Sequence, residues 1–323
     1  MNNYENELIV SHSPHIITPV SVRRIMMYVI IALIPALISA TAVFGIRALF
    51  LTFVCCFACA GSEYLWNRIM KKENTLTDLS AIVTGLILAL NLPVTLPFYM
   101  AIIGSVFAII IVKQFFGGLG HNFMNPALAA RAFLLASWAG AMTTFVEVGE
   151  AVHIFGNADV ITSATPLGIL KEGGGSLPSY FELFMGNIGG SMGETSALAI
   201  LIGGAFLVYK KVISLSTPLS YLLTLFILGY IGGDSGLFHI LSGGVMFGAF
   251  FMATDYTTTP TTKKGQVIFG IGCGIITFVI RKWGGYPEGV TYAILLMNVA
   301  TPLIDKYVKP IAFGKIKEVE ANE

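Results

Sequence analysis

The chain has 323 residues, of which 55% are hydrophobic and 11% charged, and its formal net charge is +1. An average soluble domain carries about 25% charged residues, so this chain is too poor in charge to solvate a globule of its size, and lipid is the expected solvent. The near-neutral balance says little about partners, and nucleic acid is not expected among them.

The first 24 residues are polar. They lack a positively charged start that leads into an apolar core and a small-residue cleavage site, so the first apolar segment is expected to stay in the membrane as an anchor. A helix crosses the apolar core of a bilayer with about 20 residues, fewer where it is broken or buried in protein. The pattern predicts helices over 25–44, 47–66, 78–91, 96–115 and 126–140 and, after a polar segment, over 196–209, 215–231, 238–253, 266–281 and 289–304. The fold expected is therefore an all-α integral membrane protein with ten transmembrane helices. Segments as short as 78–91 and 196–209 have to be tilted or broken helices inside a bundle. Cys55, Cys56, Cys59 and Cys273 all lie in apolar runs, where thiols act as small hydrophobes. Neither a disulfide framework nor a metal site is expected.

Charge orients this arrangement. With a cytoplasmic N-terminus, that side receives Arg23, Arg24, Arg68, Lys71, Lys72, Lys113, Lys210, Lys211, Lys263, Lys264, Lys306, Lys309, Lys315 and Lys317. The opposite side receives Arg47, Lys171, Arg281 and Lys282, while Arg131 falls within a helix. The asymmetry follows the positive-inside rule, with the 281–282 pair as its main exception. Ten crossings return the C-terminus to the cytoplasm and place segment 141–195 outside it. That segment holds six acidic residues and one lysine.

Two parts of the chain resemble each other. Leu79-Ser80 opens an apolar series that ends in Gly117-Gly118 and continues to Asn122, Asn125 and Pro126. Leu241-Ser242 opens another that ends in Gly284-Gly285-Tyr286-Pro287-Glu288. A repeat of five helices must insert its second copy upside down, and Gly/Pro-interrupted segments at matching places in inverted repeats point to internal sites. Segments 117–126 and 284–289 are thus expected to face one another and line a site or pathway. The expected organisation is a cytoplasmic segment 1–24, a five-helix repeat 25–140, an extracytoplasmic segment 141–195, a second five-helix repeat 196–304 and a cytoplasmic tail 305–323.

Within the polar segment lies Asp159-Val-Ile-Thr162-Ser163-Ala164-Thr165-Pro166. Taken alone it reads as a polar turn in which Asp and Thr bond their own backbone before a proline. It also offers a hydroxyl acceptor, Thr165, among small neighbours. Its companions along the chain are Ser13-Pro14-His15, Ala32-Leu33-Ile34-Pro35, Asn125-Pro126-Ala127-Leu128, Arg131-Ala132-Phe133, Phe251-Met252-Ala253-Thr254-Asp255, Gly284-Gly285-Tyr286-Pro287, Met297-Asn298 and Pro302-Leu303-Ile304-Asp305. In this order the passages resemble, along nearly the whole chain, the family that comprises the D subunit of Rnf complexes and the B subunit of sodium-pumping NADH:quinone oxidoreductases. The short polar stretch before the first helix fits the Rnf branch better.

The resemblance implies a subunit of an ion-translocating (Na⁺ or H⁺) ferredoxin:NAD oxidoreductase in the inner, cytoplasmic membrane. It implies FMN esterified through its phosphate to Thr165 by a flavin transferase that recognises Asp159, Thr162, Ser163 and Ala164. Ser163 stands where the family motif usually has glycine. A riboflavin within the bundle is also implied, to which Asn122, Asn125 and Arg131 are assigned; the two asparagines would equally serve to satisfy broken-helix backbone. Other Rnf subunits, one of them carrying a second covalent FMN, are the implied partners. Asp255, with Thr254 and further threonines around it, and Asp305 at a helix end are candidates for the ion path, though oxygen-rich surroundings suit an ion or a flavin alike. Asp78 reads as a helix cap. A subunit of the quinone-reductase type and a redox-free secondary transporter are the alternatives.

Overall fold

The computed structural model describes residues 20–146, 164–173 and 176–309. Among these every element is helical: α1 Val22–Phe44, α2 Ile46–Ile69, α3 Ser80–Leu90, α4 Phe98–Val106, α5 Pro126–Ser137, α6 Ala139–Met142, α7 Pro166–Glu172, α8 Tyr180–Met185, α9 Ala197–Tyr209, α10 Ser216–Ile231, α11 Gly236–Leu241, α12 Val245–Phe247, α13 Lys263–Trp283 and α14 Val290–Tyr307. Two of them run on in wider, π-helical turns, α4 through Phe107–Gln114 and α12 through Gly248–Met252. Such turns are frequent at functional sites because they redirect side chains and carbonyls.

Helices α1, α2 and α13 are long and apolar enough to cross a membrane, and Ser80–Leu90, Phe98–Gln114, Pro126–Ser137, Ala197–Tyr209 and Ser216–Ile231 are shorter apolar helices. Phe53, Phe57, Ile38 and Leu223 point outward and are exposed, as lipid-facing side chains are. The chain is a multi-pass membrane protein.

Local chemistry sets the boundaries. Ser21 caps α1 by accepting the Arg24 N–H, and Gly45, at φ 77°, turns the chain directly into α2. Asn125 caps α5, with Pro126 supplying the first helical residue. Asp78 accepts the N–H and hydroxyl of Ser80 at the entrance to α3, but the capping position itself is held by Leu79 at φ 66°, so Asp78 is not the cap expected.

Two helices expected to be continuous are interrupted. The 126–140 prediction ends at Ser137, and Trp138 at φ −134° starts the short α6. The 238–253 prediction is broken after Leu241, where Gly243 takes φ 69°. Arg281 stabilises the break: its guanidinium donates to the carbonyls of His239 (2.6 Å) and Ser242 (3.1 Å), meeting acceptors that a broken helix leaves orphaned. Arg281 is thus a buried structural cation. Lys113 is buried as well, bonded to Glu63 and Ser80, so two charges that the orientation count assigned to the two sides of the membrane face the interior instead.

Packing relies on small residues. Helix α1 packs on α2, α3 and α9; α2 lies along α3 and α4; α3 and α4 meet α5. In the C-terminal part α9 packs on α12, α10 lies along α11 and α13, and both α13 and the π-turn after α12 meet α14, which also touches α5. Gly270 and Gly274 of α13 lie against the backbone and hydroxyl-bearing side chains of α10, the small-xxx-small spacing that brings membrane helices close. Gly203 of α9 sits so near α1 that a Cβ there would collide with the Ala32 carbonyl oxygen and the Phe251 ring. Gly203→Ala should therefore cost about 1–3 kcal/mol of stability, read as a lower unfolding temperature in detergent. Gly61→Ala, whose Cβ meets open space, should not lower it.

Candidate functional site

Two clefts lie at the two ends of α3. With 11 residues that helix is about 16 Å long, so Ser80 at its start and Asn91 just past its end belong to different environments. Ser80, Lys113, Asn122, Asn125, Thr254 and Asp255 line an inner cavity. Arg131, Thr165, Tyr286, Glu288, Thr291 and Tyr292 line the other cleft.

The inner cavity is apolar apart from a polar rim. Asn122 is 6% exposed; its amide N–H₂ donates to the Met124 carbonyl (3.2 Å) and the Thr257 hydroxyl (2.9 Å). Among the described residues its side-chain oxygen accepts nothing, which leaves an acceptor at the cavity wall. Asn125 is fully engaged: its oxygen accepts the N–H groups of Ala127 and Leu128 and its nitrogen donates to the Met252 carbonyl. Its own N–H goes to Asn298. Asp255 accepts from the hydroxyls of Thr257 and Thr258, and burial raises its carboxyl above the usual range. Thr254 lines the cavity while donating to the Phe250 carbonyl. On the far wall the Lys113 ammonium meets Glu63 (2.9 Å) and the Ser80 hydroxyl (2.6 Å), and Thr75 donates to the same carboxylate. A buried ion pair of this kind persists only when its remaining bonds are also made.

The second cleft is organised by Arg131, which is 5% exposed. One guanidinium nitrogen donates to Asn91 and Thr291, each at 3.2 Å. The other reaches Ser191 (3.3 Å), Glu194 (3.0 Å) and Glu288 (2.5 Å). Thr165 stands at the mouth of this cleft and also lines the narrower space beside Glu194 and Glu288. It caps α7: its hydroxyl oxygen accepts the Gly168 N–H at 3.1 Å, and among the described residues the hydroxyl donates nowhere. Lys171 on α7 donates to the carbonyls of Gly284 and Tyr286, which fixes α7 over segment 284–289. The rings of Tyr286 and Tyr292 stack 5.6 Å apart on one wall.

The structure thus brings together Asn122, Asn125, Thr254 and Asp255. It places Arg131 with Thr165, apart from the two asparagines with which the resemblance groups it. Asp305 lies apart from the inner cavity's lining; its carboxylate accepts from the Thr261 backbone and hydroxyl. Ala164 is exposed next to Thr165. Asp159, Thr162 and Ser163 lie outside the described residues.

Sequence reasoning missed Asn91, Glu194 and Glu288 as partners of Arg131, and Lys113 as the partner of Glu63. A guanidinium within an apolar helix demands acceptors. The acids bordering apolar runs, Glu194 before α9 and Glu288 before α14, were the signal available.

The family model described as NQR2, RnfD, RnfE matches residues 9–314. The chain is 53% identical over 316 residues to the D subunit of the Na⁺-translocating ferredoxin:NAD⁺ oxidoreductase complex of Acetobacterium woodii, covering 97% of each chain. It is 44% identical over 326 residues to the D subunit of the proton-translocating ferredoxin:NAD⁺ oxidoreductase complex of Clostridium ljungdahlii, with 96% of this chain and 97% of the relative covered. The D subunit of the ion-translocating oxidoreductase complex of Stutzerimonas stutzeri is 39% identical over 331 residues, with 91% and 93% covered. On the family model and on relatives matched nearly end to end, the chain belongs to the NQR2, RnfD, RnfE family.

Proposed function

We propose that this chain is the D-type membrane subunit of an ion-translocating ferredoxin:NAD oxidoreductase, with FMN joined by a phosphoester to Thr165 and riboflavin in the inner cavity. The observation that carries the reading is Thr165 itself. Its oxygen caps α7 as an acceptor and, among the described residues, its hydroxyl proton is uncommitted, so esterification replaces that proton and leaves the cap bond available. The adjoining cleft offers two stacked tyrosines and a buried guanidinium, a setting suited to a flat, hydrogen-bonding ring. Flavins, when bound, supply one-electron and two-electron redox chemistry; the protein supplies position and electrostatics.

Each group of residues then has a task. Thr165 holds the phosphoester, with Asp159, Thr162, Ser163 and Ala164 as the recognition stretch for a flavin transferase. Tyr286, Tyr292 and Arg131 form the walls of the outer cleft. Asn122 presents its free acceptor to a ligand in the inner cavity, while Asn125 holds the start of α5 in place. Asp255 and Thr254 border the same cavity and remain our candidates for the coupling-ion path, together with Asp305, which lies outside its lining. One relative is described as Na⁺-translocating and another as proton-translocating, so family membership leaves either ion open to this chain. A second subunit with covalent FMN would exchange electrons at the outer cleft.

We also propose two inverted five-helix repeats, 25–140 and 196–304, with both termini on the cytoplasmic side of the inner membrane and segment 141–195 opposite. Two observations support this. The pairings of the second helix with the third and fourth, and of the fifth with the third and fourth, recur in both halves. Each half also buries one basic residue, Lys113 or Arg281, against the serine that follows the matching leucine.

Three outcomes are expected. On a denaturing gel, the protein expressed beside its transferase should show ultraviolet-excited flavin fluorescence that Thr165→Ala abolishes; a dark band from the unmutated protein would sink the attachment. Asn122→Leu should leave that band intact and lower the riboflavin released by acid extraction by roughly 3- to 10-fold, the worth of about one hydrogen bond. A cysteine at the exposed Ser176 should react with a membrane-impermeant thiol reagent from outside intact cells; labelling only in inverted vesicles would reverse the orientation.

A further inference from the structure

The outer cleft contains an arrangement that flavin attachment alone does not require. Glu194 and Glu288 come from two separate loops, before α9 and before α14, yet both place an oxygen on the same guanidinium nitrogen of Arg131, at 3.0 and 2.5 Å. The two carboxyl groups thus converge on a single donor from opposite loops. Both side chains are enclosed, with 3% and 16% of their surface exposed, so a second uncompensated negative charge would be costly there.

We infer that Glu194 and Glu288 hold one exchangeable proton between them, clamped on Arg131, and that this proton site is coupled electrostatically to the charge carried on the flavin at Thr165. The inference deepens the proposed function and rests on its covalent flavin. With both carboxyls ionised the cluster with Arg131 carries one net negative charge; with one proton shared it is neutral. Thr165 lines the space that Glu194 and Glu288 also line. Negative charge added in the cleft therefore disfavours the doubly ionised pair.

One electron enters the cleft from a reduced one-electron carrier, and the pair takes one proton from water. Loss of the electron to an oxidised carrier returns that proton to water. No covalent bond within the protein's heavy-atom framework breaks.

The surroundings favour the pair as the group that responds. Burial, then the neighbouring Glu288 carboxylate, hold the Glu194 carboxyl above the ordinary carboxylate range. Arg131 faces the pair from α5 and Arg281 from α13, where its Nε donates to the Glu288 carbonyl at 3.0 Å. His239 on α11 contacts Arg281, and Tyr286 and Tyr292 line the cleft from segment 284–289 and α14. Lys171 on α7 is committed to backbone carbonyls. The two carboxyls are the acidic groups in direct contact with Arg131.

The test is a potentiometric titration of the covalent flavin in the full-length chain, in lipid nanodiscs, from neutral to mildly alkaline pH. Glu194→Gln, Glu288→Gln and the conservative Glu194→Asp are run in parallel. In-gel fluorescence first establishes that flavin is attached in each. For the unmutated protein the one-electron midpoint should fall with pH more steeply than in either Gln variant, by up to about 59 mV per tenfold change in proton concentration. Glu194→Asp should restore part of the slope. A carboxylic-acid infrared band that changes on reduction should be present in the unmutated protein and absent from both Gln variants. Equal slopes with flavin attached throughout, or an infrared band unaffected by both substitutions, would overturn the inference while leaving the attachment intact. No flavin on the unmutated chain would instead overturn the attachment, and the coupling with it. Should one Gln variant fail to assemble, the other and the infrared band still decide.

Discussion

A guanidinium deep in an apolar bundle is tolerable only when its donors find acceptors, and Arg131 meets that requirement by drawing acceptors from four other places. Asn91 stands at the end of α3, Ser191 and Glu194 lie in the stretch before α9, Glu288 precedes α14, and Thr291 sits in its first turn. Removing a partner would strand a buried charge, which is costlier than never having introduced it. The cation therefore acts as a knot: the N-terminal and C-terminal parts of the chain must both be in place before it is satisfied. Segment 284–289, held over the cleft by Arg281 and Lys171, inherits its shape from the same requirement.

The two clefts are physically joined. Asn91 accepts from Arg131 on one side and donates to the Met252 sulfur on the other, and the Met252 carbonyl accepts from Asn125. Asn125 in turn caps the helix that carries Arg131. A closed circuit of hydrogen bonds thus links the floor of the inner cavity to the wall of the outer one. The π-turn at 248–252 helps by placing the Met252 carbonyl where a regular helix would have turned it elsewhere. If two bundle arrangements exist that differ in ligand or charge state, this circuit is where a bias at one cleft reaches the other.

Much of the fold was legible in the sequence, because lipid leaves few choices. Apolar runs must be helices, and Asn125-Pro126 and Gly45 mark boundaries by unambiguous chemistry. Less legible was anything that depends on a distant partner. Charge counting placed Lys113 and Arg281 at the membrane surfaces, because nothing local distinguishes a lysine at a helix end in water from one folded back onto Glu63. The break at Ser242–Gly244 was hidden for the same reason, since it is stabilised by a cation 39 positions away. For Asn122 and Asn125 the sequence left ligand binding and backbone repair equally open. The structure divides the roles, giving Asn125 the repair and leaving, among the described residues, an acceptor free on Asn122.

The shortness of α3 has a consequence of its own. Because Ser80 opens one cleft and Asn91 closes on the other, about three turns of helix serve as the ruler between them. One added residue would lengthen that ruler by only about 1.5 Å but would rotate everything beyond it by about 100°, carrying Asn91 off both Arg131 and Met252. Spacing and phase are thus locked together in a single 11-residue element. The loops that follow it, whose length does not set this phase, are where insertions can be absorbed.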